Sequence, residues 1–108
     1  MPSLSHAGAV SDSLQQLMQQ HISTPFPASI TKGDSYGEVE PVMVGADVYG
    51  WALGVARGTP LDDAQRRRLE DTHGALLRSM PSFPDAAQPY YELLAQLAVA
   101  TLAHQAAT

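Results

Sequence analysis

The chain has no cysteine, one lysine, seven aromatic residues in 108 and no apolar run long enough to cross a bilayer. Without cysteine there is no disulfide framework, no thiolate nucleophile and no Cys-ligated zinc or iron–sulfur centre, so burial alone must hold the fold. A reducing, cytoplasmic compartment is the expectation. The most apolar stretch, Leu93 to Ala103, is interrupted by Gln96 and Thr101 and falls short of the ~20 residues of a membrane span. No membrane partner is expected. Met1 to Val10 has neither the basic start nor the continuous apolar centre of a secretory signal, so export is not expected either.

Basic residues are also scarce, with 6 Lys+Arg against 11 Asp+Glu and a formal net charge of −5. Phosphate neutralisation by Lys and Arg supplies most non-specific affinity for nucleic acid, so that class of partner is not expected. A protein partner with a basic surface is the better electrostatic match. The one basic cluster, Arg66-Arg67-Arg68, fans across about 200° of a helix. Asp62, Asp63, Glu70 and Asp71 lie within i, i+4 reach of it, which describes a solvated, ion-paired face.

Signatures of chemistry are missing as well. No Gly-x-Ser-x-Gly elbow is present, and His6, His21, His73 and His104 lie in unrelated segments, which gives acyl transfer no support. Lys32-Gly33-Asp34-Ser35-Tyr36-Gly37 lacks phosphate-loop spacing, and its Asp34 would repel a phosphate. Glu70-Asp71-Thr72-His73 holds one Glu-x-x-His, where a di-iron bundle needs two together with two further inward carboxylates. Neither a metal nor a cofactor is expected, and no role-complete constellation argues for an enzyme.

What is present is helical periodicity. About 100 residues build one core, so residues 11–108 are read as a single helical domain preceded by a flexible, aperiodic start over residues 1–10. Leu14, Leu17, Met18, His21 and Ile22 mark a first amphipathic helix, with Ser13 and Gln16 in the capping-box relation and Ser11 or Asp12 as alternative caps. From Ser23 to about Glu40 two prolines and two glycines interrupt regular structure, leaving a long ordered loop anchored by Phe26, Ile30 and Tyr36. Alternation over Val39–Val44 leaves a short strand open. Val44, Val48, Trp51, Ala52 and Val55 favour a second helix from about Val42 or Gly45 to Arg57, with Gly50 and Gly54 on one face where another helix can approach. Gly58 ends it. Thr59 as N-cap and Pro60 at N1 start a third helix whose stripe is Leu69, His73, Leu76 or Leu77, and Met80. A last helix begins near Asp85 or Pro89 and buries Tyr90, Leu93, Leu94, Leu97, Ala98, Thr101 and Leu102. The fold class is therefore all-α, a small bundle of about four helices with a long ordered loop between the first and second. The last helix, apolar nearly all round, is either the centre of that bundle or half of a homodimer contact.

The candidate site is the acidic, aromatic stretch Asp34, Tyr36, Glu38, Glu40, Asp47 and Tyr49, where carboxylates can steer a basic partner and tyrosines supply contact area. Asp47 has a structural reading too, as a helix start. Phe26 and Trp51, with Tyr36 and Tyr49, are the candidate walls of a pocket under the 25–40 loop, unless Trp51 is simply a core anchor.

Thr24-Pro25-Phe26-Pro27, Lys32-Gly33, Tyr36-Gly37, Ala46-Asp47-Val48-Tyr49-Gly50-Trp51-Ala52 and Pro89-Tyr90-Tyr91-Glu92 together resemble small proteins of high-GC, actinobacterial-type genomes. The likeness covers most of the chain after residue 20. That group has no assigned activity, so the resemblance implies a bacterial cytoplasmic origin and transfers no residue role. The leading expectation is a non-catalytic protein-interaction module using the acidic loop, with an immunity- or antitoxin-like inhibitor as its concrete form. A small-ligand-binding module or minor enzyme, and a structural homodimer through the last helix, are the alternatives.

Overall fold

Four helices and two short 3-10 turns follow one another as α1 (Pro2–Ser23), α2 (Pro41–Ala56), α3 (Asp63–Ser79), the turns Met80–Ser82 and Asp85–Ala87, and α4 (Gln88–Ala107). The structure, a computed structural model, describes residues 2–107, with side chains described over 13–104. Met1 of the expected flexible start and Thr108 at the end of the expected domain lie outside the described residues. No strand is present among the described residues, so the all-α bundle is the architecture. α1 extends from Pro2 and takes in residues 2–10, whose side-chain pattern does not call for a helix, well before the caps at Ser11–Ser13. It ends where the hydroxyls of Ser23 and Thr24 donate back to the carbonyls of Gln19 and Gln20 and Pro25 cannot continue the ladder.

α2 begins earlier than its apolar spacing implies, at Pro41, because the Glu40 carboxylate accepts from the N–H groups of Val42 and Met43 at 2.6 and 2.9 Å. A capping side chain followed by proline at N1 satisfies the free N–H groups of the first turn, and the short strand over Val39–Val44 does not form. At the other end Gly58, at φ 92°, closes a Schellman motif. Thr59 N–H donates to Gly54 C=O at 2.9 Å and Gly58 N–H to Val55 C=O at 3.0 Å. Thr59 therefore finishes α2, and the cap expected there for α3 is Asp62 instead. Asp62 and Gln65 form a reciprocal capping box, with each backbone N–H bonded to the other's side chain at 3.0 and 2.7 Å.

α4 is the helix against which the other three pack, as the central-helix reading of its apolar surface requires. Leu94, Leu97, Ala98 and Thr101 are fully buried inside one chain, each Leu contributing roughly 1.5–3 kcal/mol by leaving water. The stripe runs through Tyr91, not Tyr90, and Tyr91 is fully buried while Tyr90 is half-buried. On α3 the inward residue is Leu76, and Leu77 is half exposed. Gly50 and Gly54 receive no neighbouring helix, since a Cβ built on either would meet no atom within 4 Å. Helices close on residues that bring apolar surface, and a glycine pair brings almost none.

Between α1 and α2 the long loop is held as expected, with Ile30 and Val39 buried and Phe26 and Tyr36 half-buried. Its tip is a two-residue turn. Tyr36 and Val39 exchange backbone hydrogen bonds of 2.9 and 3.2 Å, and Gly37 takes φ 62°, the glycine-first pattern of a type II′ turn.

Candidate functional site

The turn at Gly37 is pressed onto the end of α3. Glu38 N–H donates to Ser79 Oγ at 2.8 Å, and Ser79 Oγ–H donates to Ala75 C=O at 2.7 Å. Arg78 grips the Glu38 carboxylate with two bonds, Nε to Oε2 at 2.7 Å and an Nη to Oε1 at 2.9 Å. That guanidinium, chiefly through its hydrogen bonds, holds the Glu38 carboxyl below the usual carboxylate range. Both side chains are more than half exposed, so the pair fixes where the loop lies and contributes little to stability.

Of the four expected carboxylates, three converge. Glu38, Glu40, Met43 and Asp47 face Thr72 and Ala75 of α3 across a depression of about 190 Å³. Glu38 is engaged by Arg78 and Glu40 by the N–H groups at the start of α2, which leaves Asp47, exposed and one turn beyond Met43, as the carboxylate with no partner among the described residues. Met43 is 57% exposed beside it. Asp34 lies away from this depression, its N–H donating to Thr31 C=O in another turn.

The tyrosines do not share that face. Tyr36 stacks on Phe83 (5.5 Å between ring centroids, 19°), and Phe83 lies flat on Tyr91 (4.0 Å, 3°). Tyr91 meets Tyr90 edge-on at 4.9 Å. Tyr90 then touches Phe26 at 5.7 Å and His21 at 5.4 Å, and His21 stacks on Tyr49 at 5.7 Å. Every Phe and Tyr of the chain thus belongs to one connected ladder, which runs from the loop tip through the core to the α1–α2 contact. At its centre the Tyr91 hydroxyl donates to Pro41 C=O at 3.0 Å. Burial, reinforced by the neighbouring Tyr90, Glu40 and Tyr36, pushes that phenol far above its ordinary range.

Trp51, the one aromatic residue outside the ladder, packs with the Arg68 guanidinium 5.8 Å from its ring centroid. It does not line the pocket expected under the 25–40 loop, and neither does Tyr36. That pocket, of about 470 Å³, has Phe26 and Tyr49 for walls as expected, joined by His21 and Tyr90, with Pro41 and Gly45 of α2 also lining it. Sequence spacing missed His21 and Tyr90 as site residues, because both fall on helical stripes that read as core.

His21 Nδ1 is buried with no hydrogen-bond partner. The ring occupies the last turn of α1, where the helix dipole favours a cation, yet burial dominates and holds the imidazole below its ordinary value near 6.5. The unfolded chain then binds the extra proton more readily, so stability present above about pH 7 is lost as pH falls through 6.5 and below. Urea midpoints at pH 7.5 and 5.0 are expected to show this fall, and His21→Phe is expected to reduce it. An equal fall in both proteins would remove His21 as its source.

The remaining chemistry is sparse. Arg66 pairs with Asp63 and with Glu70, each at 3.7 Å, as the solvated reading of the Arg cluster requires. This pairing also engages the carboxylate of the Glu-x-x-His. Among the described residues no group of three or more His, Asp or Glu is placed to hold a metal ion. None of the described helices is long and apolar enough to cross a membrane. Comparisons with protein-family models, with curated proteins and with solved structures find no match to this chain.

Proposed function

We propose that this protein is a non-catalytic interaction module of the bacterial cytoplasm that receives a basic side chain of a protein partner at the edge between α2 and α3. The observation that carries this reading is the convergence of Glu38, Glu40 and Asp47 around an exposed Met43. At about 190 Å³ the depression is smaller than the roughly 300–1,000 Å³ of small-molecule sites. It suits one long side chain, whose aliphatic stem lies on Met43 and whose charge meets Asp47. Arg78 already neutralises Glu38, so the attraction comes from Asp47, whose carboxylate is free, with Glu40 behind it. An inhibitor of immunity or antitoxin type is the concrete form this reading takes, with an acidic face set against a basic active site.

The test is affinity capture followed by direct titration of any captured protein against wild type, Asp47→Lys, Met43→Arg and Asp34→Asn. Asp47, Met43 and Asp34 are exposed, so the fold tolerates each change. A drop in affinity of about tenfold or more for the first two, with Asp34→Asn near wild type, is the expected pattern. Binding should also weaken as salt rises from about 0.05 to 0.3 M. Affinity indifferent to Asp47→Lys and to salt would sink the proposal.

A further inference from the structure

A second site lies on the opposite flank of α2. At 100° per residue, Gly45 and Tyr49 point roughly 160° away from Met43 and Asp47 around the helix. They form one side of the pocket closed by His21, Phe26 and Tyr90. Its volume of about 470 Å³ is within the range of small-molecule sites. A Cβ on Gly45 would meet no atom within 4 Å, so the space beside it is open.

We propose that this pocket binds a small planar aromatic carboxylate. The flat shape follows from the walls, four rings in mutual contact that line the same space. The sign of the charge follows from the lining. Although 11 residues of the chain are acidic, no carboxylate lines this pocket among the described residues. Lys32, the one lysine of the chain, holds its Nζ 5.2 Å from the centroid of the Phe26 wall.

Available hydrogen-bond donors complete the match. With Nδ1 buried and unpartnered, a proton there would be an orphaned donor, so the neutral ring carries its proton on Nε2, the nitrogen a ligand can meet. The hydroxyls of Tyr49 and Tyr90 make no hydrogen bond to any described residue and are not buried without a partner. Burial also raises the Tyr90 phenol above its ordinary range, which keeps it a donor. A carboxylate accepts from these donors, and Lys32, although it does not line the pocket, keeps a positive charge beside the Phe26 wall, whereas no lining carboxylate is there to pair an ammonium. This site is independent of the acidic depression, and either can fail alone.

The experiment titrates the full chain with 2-naphthoate, its neutral amide 2-naphthamide and the cation 2-naphthylmethylammonium, following the His21, Tyr49 and Tyr90 ring resonances. Saturable shifts are expected for the acid, with an affinity at least about fivefold above the amide and no saturation by the ammonium ion. Lys32→Gln is expected to erase the preference for acid over amide. Gly45→Leu, which fills the open space while replacing a poor helix former, is expected to weaken 2-naphthoate at least about tenfold. Should that variant lose its fold, Ala46→Leu on the same wall replaces it, since Ala46 is exposed. Equal affinity for the three probes would overturn the proposal. So would naphthoate binding untouched by these leucines, or no saturation of the three rings by about 5 mM probe.

Discussion

Truncating Tyr91 to alanine is expected to lower the free energy of unfolding by about 3–5 kcal/mol, a large share of the roughly 5–15 kcal/mol that holds a domain together. Tyr91 is fully buried, lies flat on Phe83 and edge-on to Tyr90, and bonds Pro41 C=O. Alanine removes the middle of the aromatic ladder and leaves a cavity between the first turns of α4 and α2 that a close-packed interior cannot fill. The effect should spread along the ladder. Tyr36, which reaches Tyr91 through Phe83, accepts the Thr31 N–H at 3.0 Å, so hydrogen exchange at Thr31 should quicken in step with the loss of stability. Tyr91→Phe keeps the ring and loses only the hydroxyl bond, an expected cost of about 1 kcal/mol. Urea denaturation of the three proteins measures both numbers. A Tyr91→Ala loss no larger than that of Tyr91→Phe would mean that the ladder is not the element joining loop to core.

The second large effect is at Gly37. Its φ of 62° is costly for any residue with a Cβ, by roughly 1–2 kcal/mol. A Cβ there would also fall 2.7, 2.8 and 3.0 Å from Ser79 Oγ, Cβ and Cα. Ser79 has little freedom to yield, because it is buried and its hydroxyl is committed to Glu38 N–H and Ala75 C=O. Gly37→Ala is therefore expected to cost about 2–4 kcal/mol once overpacking is added to the backbone strain. Gly33 is the internal control, at φ 94° with nothing within 4 Å of a built Cβ. Its alanine variant bears the backbone term alone. Equal losses at the two positions, read as denaturant midpoints, would show that the contact with Ser79 carries no weight. Gly37→Ala should also displace Glu38 from Arg78 and so weaken any partner held at the α2–α3 edge.

Large apolar side chains left in water show where surface is still available. Val42 and Met43 are both exposed at the start of α2, Val42 beside the aromatic pocket and Met43 beside the acidic depression. Leu77 and Val99, each 50% exposed, flank a groove between α3 and α4. The fully buried side of α4, by contrast, is consumed within one chain. Leu97→Glu would consequently put a charge into the core and unfold the chain.

The residues differ in how much of their role is visible in order along the chain. The helices were legible because i, i+3 and i+4 spacing is a local property of 3.6 residues per turn, and Gly58 marks the end of α2 through its own backbone freedom. Glu40 is legible in principle as a cap, since a carboxylate directly before Pro41 is a local signal, although the same charge also suits a basic partner. The rotation of α4 was legible through Leu94, Leu97, Ala98 and Thr101, which are buried as their spacing implies, but not at its first turn. There two adjacent tyrosines, about 100° apart around the helix, are equally suited to face inward, and local spacing does not choose between Tyr90 and Tyr91. The end of α3 was similarly ambiguous between Leu76 and Leu77.

The sequence by itself determined an acidic, cysteine-free helical bundle, the order of its helices and the presence of one long loop, because composition and short-range periodicity act within a few residues. Only the tertiary structure decided which charges and rings are available. Glu38 meets Arg78 forty residues away, Trp51 is taken by Arg68, and His21 and Tyr90 complete a pocket begun by Phe26 and Tyr49. Such pairings join segments distant in the chain, and their geometry is set by how helices rotate and close on one another. That rotation is governed by the fit of whole faces, a property that no short window of residues contains.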